Sequence, residues 1–442
     1  MNLSYSVESI GRDSVGRGRS NERPSLAFDL YESNVRSYCR NFPSVFAHGA
    51  NAILTDEQGK QYVDFLAGAG ALNYGHNNRH IKDAVVSYLA TDSLVHALDL
   101  HTPAKRRFLE QFNEVILAPR GYDYKVQFTG PTGTNAVEAA MKLSRKVTGR
   151  QTIAAFSGAF HGMSLGSLAV SAREWKRASA GTQLSGVVRL PFDGFLRRDV
   201  DSIDVIEDML LQPGCGADPI AAFIVEVVQA EGGLNVASKD WLIRLAELAK
   251  RSKALLIVDD IQAGCGRTGS FFSFEEAGIV PDIVCLSKSI GGLGLPMSIV
   301  LIRPELDQWQ PGEHNGTFRG NNLAFVAATS ALDFWRTPAF QATIGEKAQV
   351  IADELDDIVR EVPSLVSARR GIGMLQGLSF HTSEAAIETV RKAFELGLIV
   401  ELCGPRNEVV KVMPPLTIEM DLLREGLKLL RKAIHHPPHM VS

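Results

Sequence analysis

Cysteine is scarce in this sequence, and its few copies form no pattern. Cys39, Cys215, Cys265, Cys285 and Cys403 are scattered, odd in number and without paired metal-ligand spacing. That argues against a disulfide framework or a metal site and predicts reduced thiols in a cytoplasmic protein. Long apolar runs are missing too: none approaches the length of a membrane span, and the N-terminus lacks the charged start and apolar stretch of a secretory signal. Charge of one sign is not in excess, since 46 basic and 50 acidic residues leave a net charge of −4. The sequence therefore carries no electrostatic footprint for nucleic acid or an anionic membrane, and small-molecule chemistry is the expectation. There is no internal repeat and no low-complexity linker, so domain boundaries must come from pattern.

What is present is a chain of 442 residues, 45% hydrophobic, long enough for one large α/β unit with smaller appendages and a sizeable core. Residues 1–24 are rich in Ser, Arg, Gly and Asn and include Glu8, Asp13 and Glu22; a flexible tail is expected there rather than a transit peptide. From Lys125 to Ile302, short apolar runs alternate with helical patterns: residues 125–128, 152–156, 220–226, 254–259, 282–286 and 298–302. This βαβ rhythm predicts a mostly parallel sheet covered on both faces. Between the runs, Ser238 is placed to cap a helix that brings Trp241, Leu242, Leu245, Leu248 and Ala249 to one face.

Beyond about Leu323, amphipathic helices over 345–359 and 422–434 flank short strands at 373–379 and 409–413, the pattern of a smaller α+β domain. Near the N-terminus, strand-like runs at 51–55 and 61–65 surround the turn Asp56-Glu57-Gln58-Gly59-Lys60. The expected division is residues 25–80 as a segment joining the small domain, 81–325 as the large domain and 326–442 as the C-terminal small domain.

In an open α/β sheet the chemistry sits at the C-terminal ends of strands, and four such ends are informative. The first, Gly130-Pro131-Thr132-Gly133-Thr134-Asn135, leads into a helix; bare backbone, amide N–H groups and the Thr134 hydroxyl suit a phosphate, although a tight strand-to-helix turn needs the same glycines. It is neither GxGxxG nor a P-loop. The second, Asp259 to Gly269, puts a carboxylate after a buried strand, where it needs a cationic partner such as a protonated pyridine nitrogen, or serves as a helix cap or ion-pair member. The third places Lys288 after residues 282–286; a lysine in a dry pocket has a lowered pKa and a nucleophilic amine, whereas an ordinary lysine is a solvated charge. In the fourth, Phe156 to Gly162, Phe160 can stack on a planar cofactor or be plain core. Together they supply a phosphate cup, an aromatic platform, a pyridinium-binding acid and a Schiff-base lysine, a combination far more specific than its members.

On these residues the chain, from about Phe42 onward, resembles the class III (ω-) aminotransferases of pyridoxal-5′-phosphate (PLP) fold type I. The run Asp259-Asp260-Ile261-Gln262-Ala263-Gly264-Cys265-Gly266-Arg267-Thr268-Gly269 is similar to the family signature Asp-Glu-Val-Gln-x-Gly-x-Gly-Arg-Thr-Gly. The resemblance implies that Asp259 serves the pyridine nitrogen, Gln262 the phenolic oxygen, Lys288 the Schiff base, Gly133 and Thr134 the phosphate, and Phe160 the ring face. It also implies a homodimer with shared sites, or a higher assembly of such dimers, because Thr317 in Asn315-Gly316-Thr317-Phe318 matches the threonine that reaches the phosphate of the neighbouring subunit. Within the class, residues 35–40, 68–76, 130–135 and 259–269 are similar to the diaminobutyrate–2-oxoglutarate aminotransferases of the ectoine-pathway type.

One departure stands out. Many members have an arginine where this chain has Lys411, before Pro414-Pro415-Leu416; that arginine pairs with the glutamate matched here by Glu231 and is released to grip the α-carboxylate of glutamate. Lysine offers a point charge instead of a fork, so a looser Lys411–Glu231 version of the switch is expected. Arg36, Arg40 and Arg319 are further candidate carboxylate ligands, each also readable as a surface or structural arginine. The implied reaction moves an amino group between glutamate and aspartate 4-semialdehyde. The alternatives are activity on ornithine, lysine or 4-aminobutyrate, an aminomutase or racemase, or a catalytically silent PLP-binding module.

Overall fold

The computed structural model describes residues 26–196 and 200–435; the tail expected over residues 1–24 lies outside them. Of the described residues, those from Leu26 to Val45 belong to one unit and those from Phe46 to a second. In the first, Leu26–Tyr31 and Tyr38–Asn41 are helical, and Arg36 pairs with Asp29 at 2.8 Å.

In the second unit, the apolar runs of the central region assemble one sheet. Its strands in chain order are β1 (Lys125–Phe128), β2 (Thr152–Phe156), β3 (Val187–Leu190), β4 (Ile220–Val225), β5 (Leu255–Asp259), β6 (Ile283–Leu286) and β7 (Ile299–Ile302). Their spatial order is β1-β7-β6-β5-β4-β2-β3. The pairs from β6 through β3 are parallel, as the rhythm predicts. Strand β7 instead runs antiparallel to both β6 and β1. The linker from β6 to β7 holds only the single turn Lys288–Gly291, with no helix to carry the chain back to the start of a parallel strand. Strand β3 has no counterpart in the sequence reading, because Arg189 interrupts its short apolar run at the sheet edge.

Strands β4 and β6 are buried along their whole length, as expected of parallel strands covered on both faces. Helix α1 (Gly133–Thr148) packs Ala136, Val137, Ala140 and Met141 into the same core as Ile224, Ile257 and Ile283. Helix α2 (Lys239–Arg251) starts where Ser238 Oγ accepts the Trp241 N–H at 3.3 Å, and it buries Trp241, Leu242, Leu245, Leu248 and Ala249. The Trp241 indole donates to Ser202 Oγ at 2.8 Å, so Trp241→Ala would cost about 3–5 kcal/mol of packing and also orphan that hydroxyl.

Two four-stranded sheets, with a short ladder of Val228–Gln229 against Asn235–Val236, complete the frame. Phe46–Ala50, Ile53–Asp56 and Gln61–Asp64 form an antiparallel meander whose last strand pairs in parallel with Leu398–Ile399. The meander's turn is tied by Asp56 Oδ1, which accepts from Gln58 N at 3.1 Å and Lys60 N at 2.9 Å. Val366–Ile372, Leu375–Phe380, Val409–Val412 and Glu401–Cys403 form the other sheet, all neighbours antiparallel. The helices beside it, Pro338–Glu361 and Met420–His435, extend past the amphipathic runs; the first begins at Pro338, a residue preorganised for a helix's opening turn. Among the described residues no helix is long and apolar enough to cross a membrane, and all five cysteines are free thiols.

Candidate active site

The strands deliver their last residues to one edge of the sheet. Asp259 closes β5 and is 5% exposed. Its Oδ2 lies 2.7 Å from His161 Nδ1, and its Oδ1 accepts the Ile261 N–H at 3.2 Å. His161, in the loop after β2, is itself fixed: its backbone N–H donates to Ser171 Oγ at 2.9 Å. A carboxylate at Nδ1 places a proton there and leaves Nε2 facing inward, where it has no partner.

Lys288 stands beyond the end of β6, with Ser287 between, at φ 51. A non-glycine residue held in this left-handed region costs about 1–2 kcal/mol. The neighbours that impose it are Ser287, whose Oγ donates to Met297 O at 2.9 Å, and Ser289, whose Oγ donates to Gly70 O at 2.7 Å. Burial lowers the Lys288 pKa to about 8, against the opposing pull of Glu231, so much of its amine is neutral at mildly alkaline pH. Gln262 lies on the turn after β5; its Nε2 donates to Ala69 O at 2.9 Å, and its Oε1 is buried without a partner.

The cup forms at the N-terminus of α1, where Thr132 and Asn135 cap the helix and the first amide N–H groups have no partner within it. Thr134 Oγ1 lies 2.5 Å from Ser164 Oγ and also bonds Ser167 Oγ, while Ser164 Oγ donates to Glu138 Oε1 at 2.6 Å. Gly162, at φ +123, closes on these hydroxyls so tightly that a Cβ would sit 2.7 Å from Thr134 Oγ1. Gly133 leaves its backbone bare; a Cβ there would come within 2.9 Å of Ile261.

Phe160 is oriented through its backbone N–H, which donates to Glu226 Oε2 at 2.9 Å. Burial raises the Glu226 pKa well above the carboxylate range, and the charge of Asp259 pushes it further in the same direction. On one face of the Phe160 ring, the Lys176 ammonium stands 4.4 Å from the centroid.

Lys411 is fully buried between two carboxylates: Glu231 Oε1 at 2.7 Å and Glu401 Oε2 at 3.0 Å. Burial alone would raise the Glu231 pKa, but Lys411 and then Lys288 outweigh it and hold Glu231 down at about 2. The candidate arginines are committed elsewhere. Arg319 pairs with Asp99, Arg36 with Asp29, and Arg40 with the backbone and side chain of Asn34. Thr317 is exposed on the single turn Thr317–Arg319, and the preceding Gly316 lies beside Gly130 of the cup loop.

The structure thus brings together Asp259, Gln262, Lys288, Gly133, Thr134 and Phe160 from four strand ends, with Glu231 and Lys411 alongside. His161, Glu226, Glu401, Ser164 and Ser167 belong to the same cluster, although the sequence reading gave them no role. The signal for His161 and Glu226 was available, since each follows an apolar strand. Two inward polar atoms without partners, His161 Nε2 and Gln262 Oε1, would each cost about 1–3 kcal/mol in a closed interior. An acid, a dry amine, a hydroxyl-lined cup at a helix N-terminus and those two orphans fit a phosphorylated heteroaromatic aldehyde.

Comparison with known proteins agrees with that chemistry. The aminotransferase class-III family matches residues 36–434. A diaminobutyrate–2-oxoglutarate transaminase of Halalkalibacterium halodurans is 51% identical over 407 residues, covering 92% of this chain and 95% of that protein. One from Nocardia farcinica is 53% identical over 408 residues, covering 92% and 93%. Among solved structures, the ornithine aminotransferase of Toxoplasma gondii superposes with a TM-score of 0.79 at 26% identity, covering 92% of this chain and 93% of that one.

Proposed function

We propose, for a chain that belongs to the class III aminotransferases, that it moves an amino group reversibly between L-glutamate and the terminal carbon of L-aspartate 4-semialdehyde, giving 2-oxoglutarate and L-2,4-diaminobutyrate. The protein is an enzyme of PLP fold type I, and its cofactor is pyridoxal 5′-phosphate. The observation that carries the substrate reading is identity above one half, sustained over nine-tenths of the chain, with transaminases of that name.

The roles follow from the chemistry of each group. Bound in this site, the cofactor supplies an aldehyde carbon for the amino group and a ring that takes up electrons from the broken C–H bond. Lys288 would hold that aldehyde, and its free amine would move the proton at the amine-bearing carbon of the substrate. Asp259, oriented by His161, keeps a negative charge against the ring nitrogen. Gln262 meets the phenolic oxygen through its amide; the end-for-end orientation of that group is set by its hydrogen bonds. Gly133, Thr134 and the first amides of α1 hold the phosphate, and Phe160 covers the ring. Glu231 yields its place at Lys411 to a substrate carboxylate, and Lys411 keeps Glu401 as a partner throughout, which makes the switch gentler than one built on arginine.

The reading extends to a homodimer in which the exposed Thr317 serves the neighbouring site, and to the cytoplasm, with the free thiols in its support. Supply of diaminobutyrate to ectoine synthesis is the proposed role in metabolism. For the domains, it takes residues 81–325 as the large domain and 326–442 as the small one, joined by the segment 25–80; the pairing of Gln61–Asp64 with Leu398–Ile399 supports that joining.

The test is a donor–acceptor assay on purified, cofactor-loaded protein. Diaminobutyrate should form from glutamate and aspartate semialdehyde at a higher kcat/KM than the corresponding reactions of ornithine, lysine or 4-aminobutyrate. A higher value for one of those amines would replace the substrate. Visible absorbance that depends on Lys288, with no amino transfer to any acceptor, would favour a silent binding module.

A further inference from the structure

The five-carbon substrate of the proposed reaction is a dicarboxylate, and a single lysine pocket does not account for both of its ends. Of the cations near the site, Lys411 is enclosed by Glu231 and Glu401, and Lys288 is assigned to the cofactor. Arg173 bonds the Gly404 carbonyl and approaches Asn407 Oδ1 at 3.3 Å, and Arg370 donates to Asn235 Oδ1 at 2.9 Å.

Lys176 differs from all of these. Its ammonium rests against two rings, 4.4 Å from the centroid of Phe160 and 5.5 Å from that of Trp175. Aromatic faces attract a cation but satisfy none of its N–H donors. Among the described residues no carboxylate reaches it within ion-pair distance. The charge of Glu231 acts on Lys176, Lys411 and Lys288 alike, and the Phe160 ring ties the Lys176 ammonium to the loop that carries His161. Burial lowers its pKa, with Glu231 and Glu401 pulling the other way. Arg173, Trp175 and Glu231 line a cavity of about 820 Å³, with ample room for a C5 acid, and the Trp175 ring in its wall is one of the two against which the Lys176 ammonium rests.

The geometry points to Lys176 as the residue that binds the second carboxylate of the dicarboxylate substrate, the one not received at Lys411. This deepens the proposed function and rests on it for the identity of the substrate. A monocarboxylate would make only the Lys411 contact, so the inference explains preference for a five-carbon diacid over a simple acid. It also gives Phe160 a second duty, since the ring that covers the cofactor braces this cation.

The probes are glutarate and butyrate, which differ in the second carboxylate and do not react. Their dissociation constants are read from perturbation of the visible spectrum of the loaded protein, with Lys176→Met and Lys176→Arg compared to wild type after matching Tm and bound cofactor. The wild type should prefer glutarate, Lys176→Met should lose about ten-fold of that preference, and Lys176→Arg should keep part of it. A wild type without preference would overturn the inference, as would Lys176→Met with its preference intact. Equal losses for the two acids would overturn it as well, since they would mean that Lys176 only supports Phe160. Because neither probe is transaminated, failure of the donor–acceptor assay would sink the proposed reaction and leave this measurement standing.

Discussion

Lys411 and Glu401 stand directly opposite each other in the antiparallel pairing of Glu401–Cys403 with Val409–Val412, and their charged groups meet at 3.0 Å with Lys411 fully buried. Glu231 joins from the other side at 2.7 Å, so one ammonium holds two carboxylates.

Removing that ammonium should be costly. Lys411→Ala is expected to destabilise the protein by about 3–5 kcal/mol, because it leaves two carboxylates in a poorly hydrated space without their counter-ion. Urea denaturation measures this, and adding Glu401→Gln to the variant should restore part of the loss. A change under about 1 kcal/mol would show that the carboxylates are neutralised by some other group. The same variant's glutamate half-reaction is informative: an unchanged KM would remove Lys411 from carboxylate binding.

Attachment of the cofactor aldehyde requires the neutral form of Lys288, whose pKa burial lowers to about 8. Below that value the neutral fraction falls with pH, and above it the fraction saturates. Stopped-flow mixing of apo-protein with pyridoxal 5′-phosphate should therefore give a rate that levels off above pH 8 and drops about ten-fold between pH 7 and pH 6. A rate still climbing towards pH 10 would mean an ordinary, solvated lysine.

His161 is expected to act through Asp259 as a positioning residue. Replacing it by leucine removes the donor at 2.7 Å and should weaken cofactor binding about 10–100-fold, while asparagine, which can present an N–H near the Nδ1 position, should recover much of the affinity. Equilibrium dialysis of the cofactor reads both variants. Wild-type affinity in the leucine variant would remove His161 from the site.

Subunit exchange tests the shared site. Lys288→Ala and Thr317→Ala proteins, each impaired alone, should regain about a quarter of wild-type activity when unfolded and refolded together, because half of the dimers then contain one intact site out of two. No gain on mixing would mean that Thr317 serves the cup of its own chain, beside which Gly316 lies.

The inner part of the large sheet is legible because strands such as β4 and β6 are buried on both faces and appear as unbroken apolar runs; Asp259 and Lys288 stand at or just past the ends of such runs. What escaped was long-range or edge-placed. Glu401 meets Lys411 only through strand register, which local sequence does not encode. Lys176 sits in a short basic stretch with Arg173 and Arg177, which in sequence looks like a solvated surface. The direction of β7 depended on a linker whose only regular element is one turn, and β3 was hidden by a charged residue at an edge.

The parallel pairing of Gln61–Asp64 with Leu398–Ile399 has a consequence for folding. Phe65 O accepts the Met413 N–H and Asn73 O the Leu416 N–H, so the stretch whose Ala69 carbonyl holds Gln262 is itself pinned by residues far away in sequence. The vitamin-derived group thus has no finished berth until residues 413–416 have folded back onto residues 65–73, and its capture must follow that long-range closure.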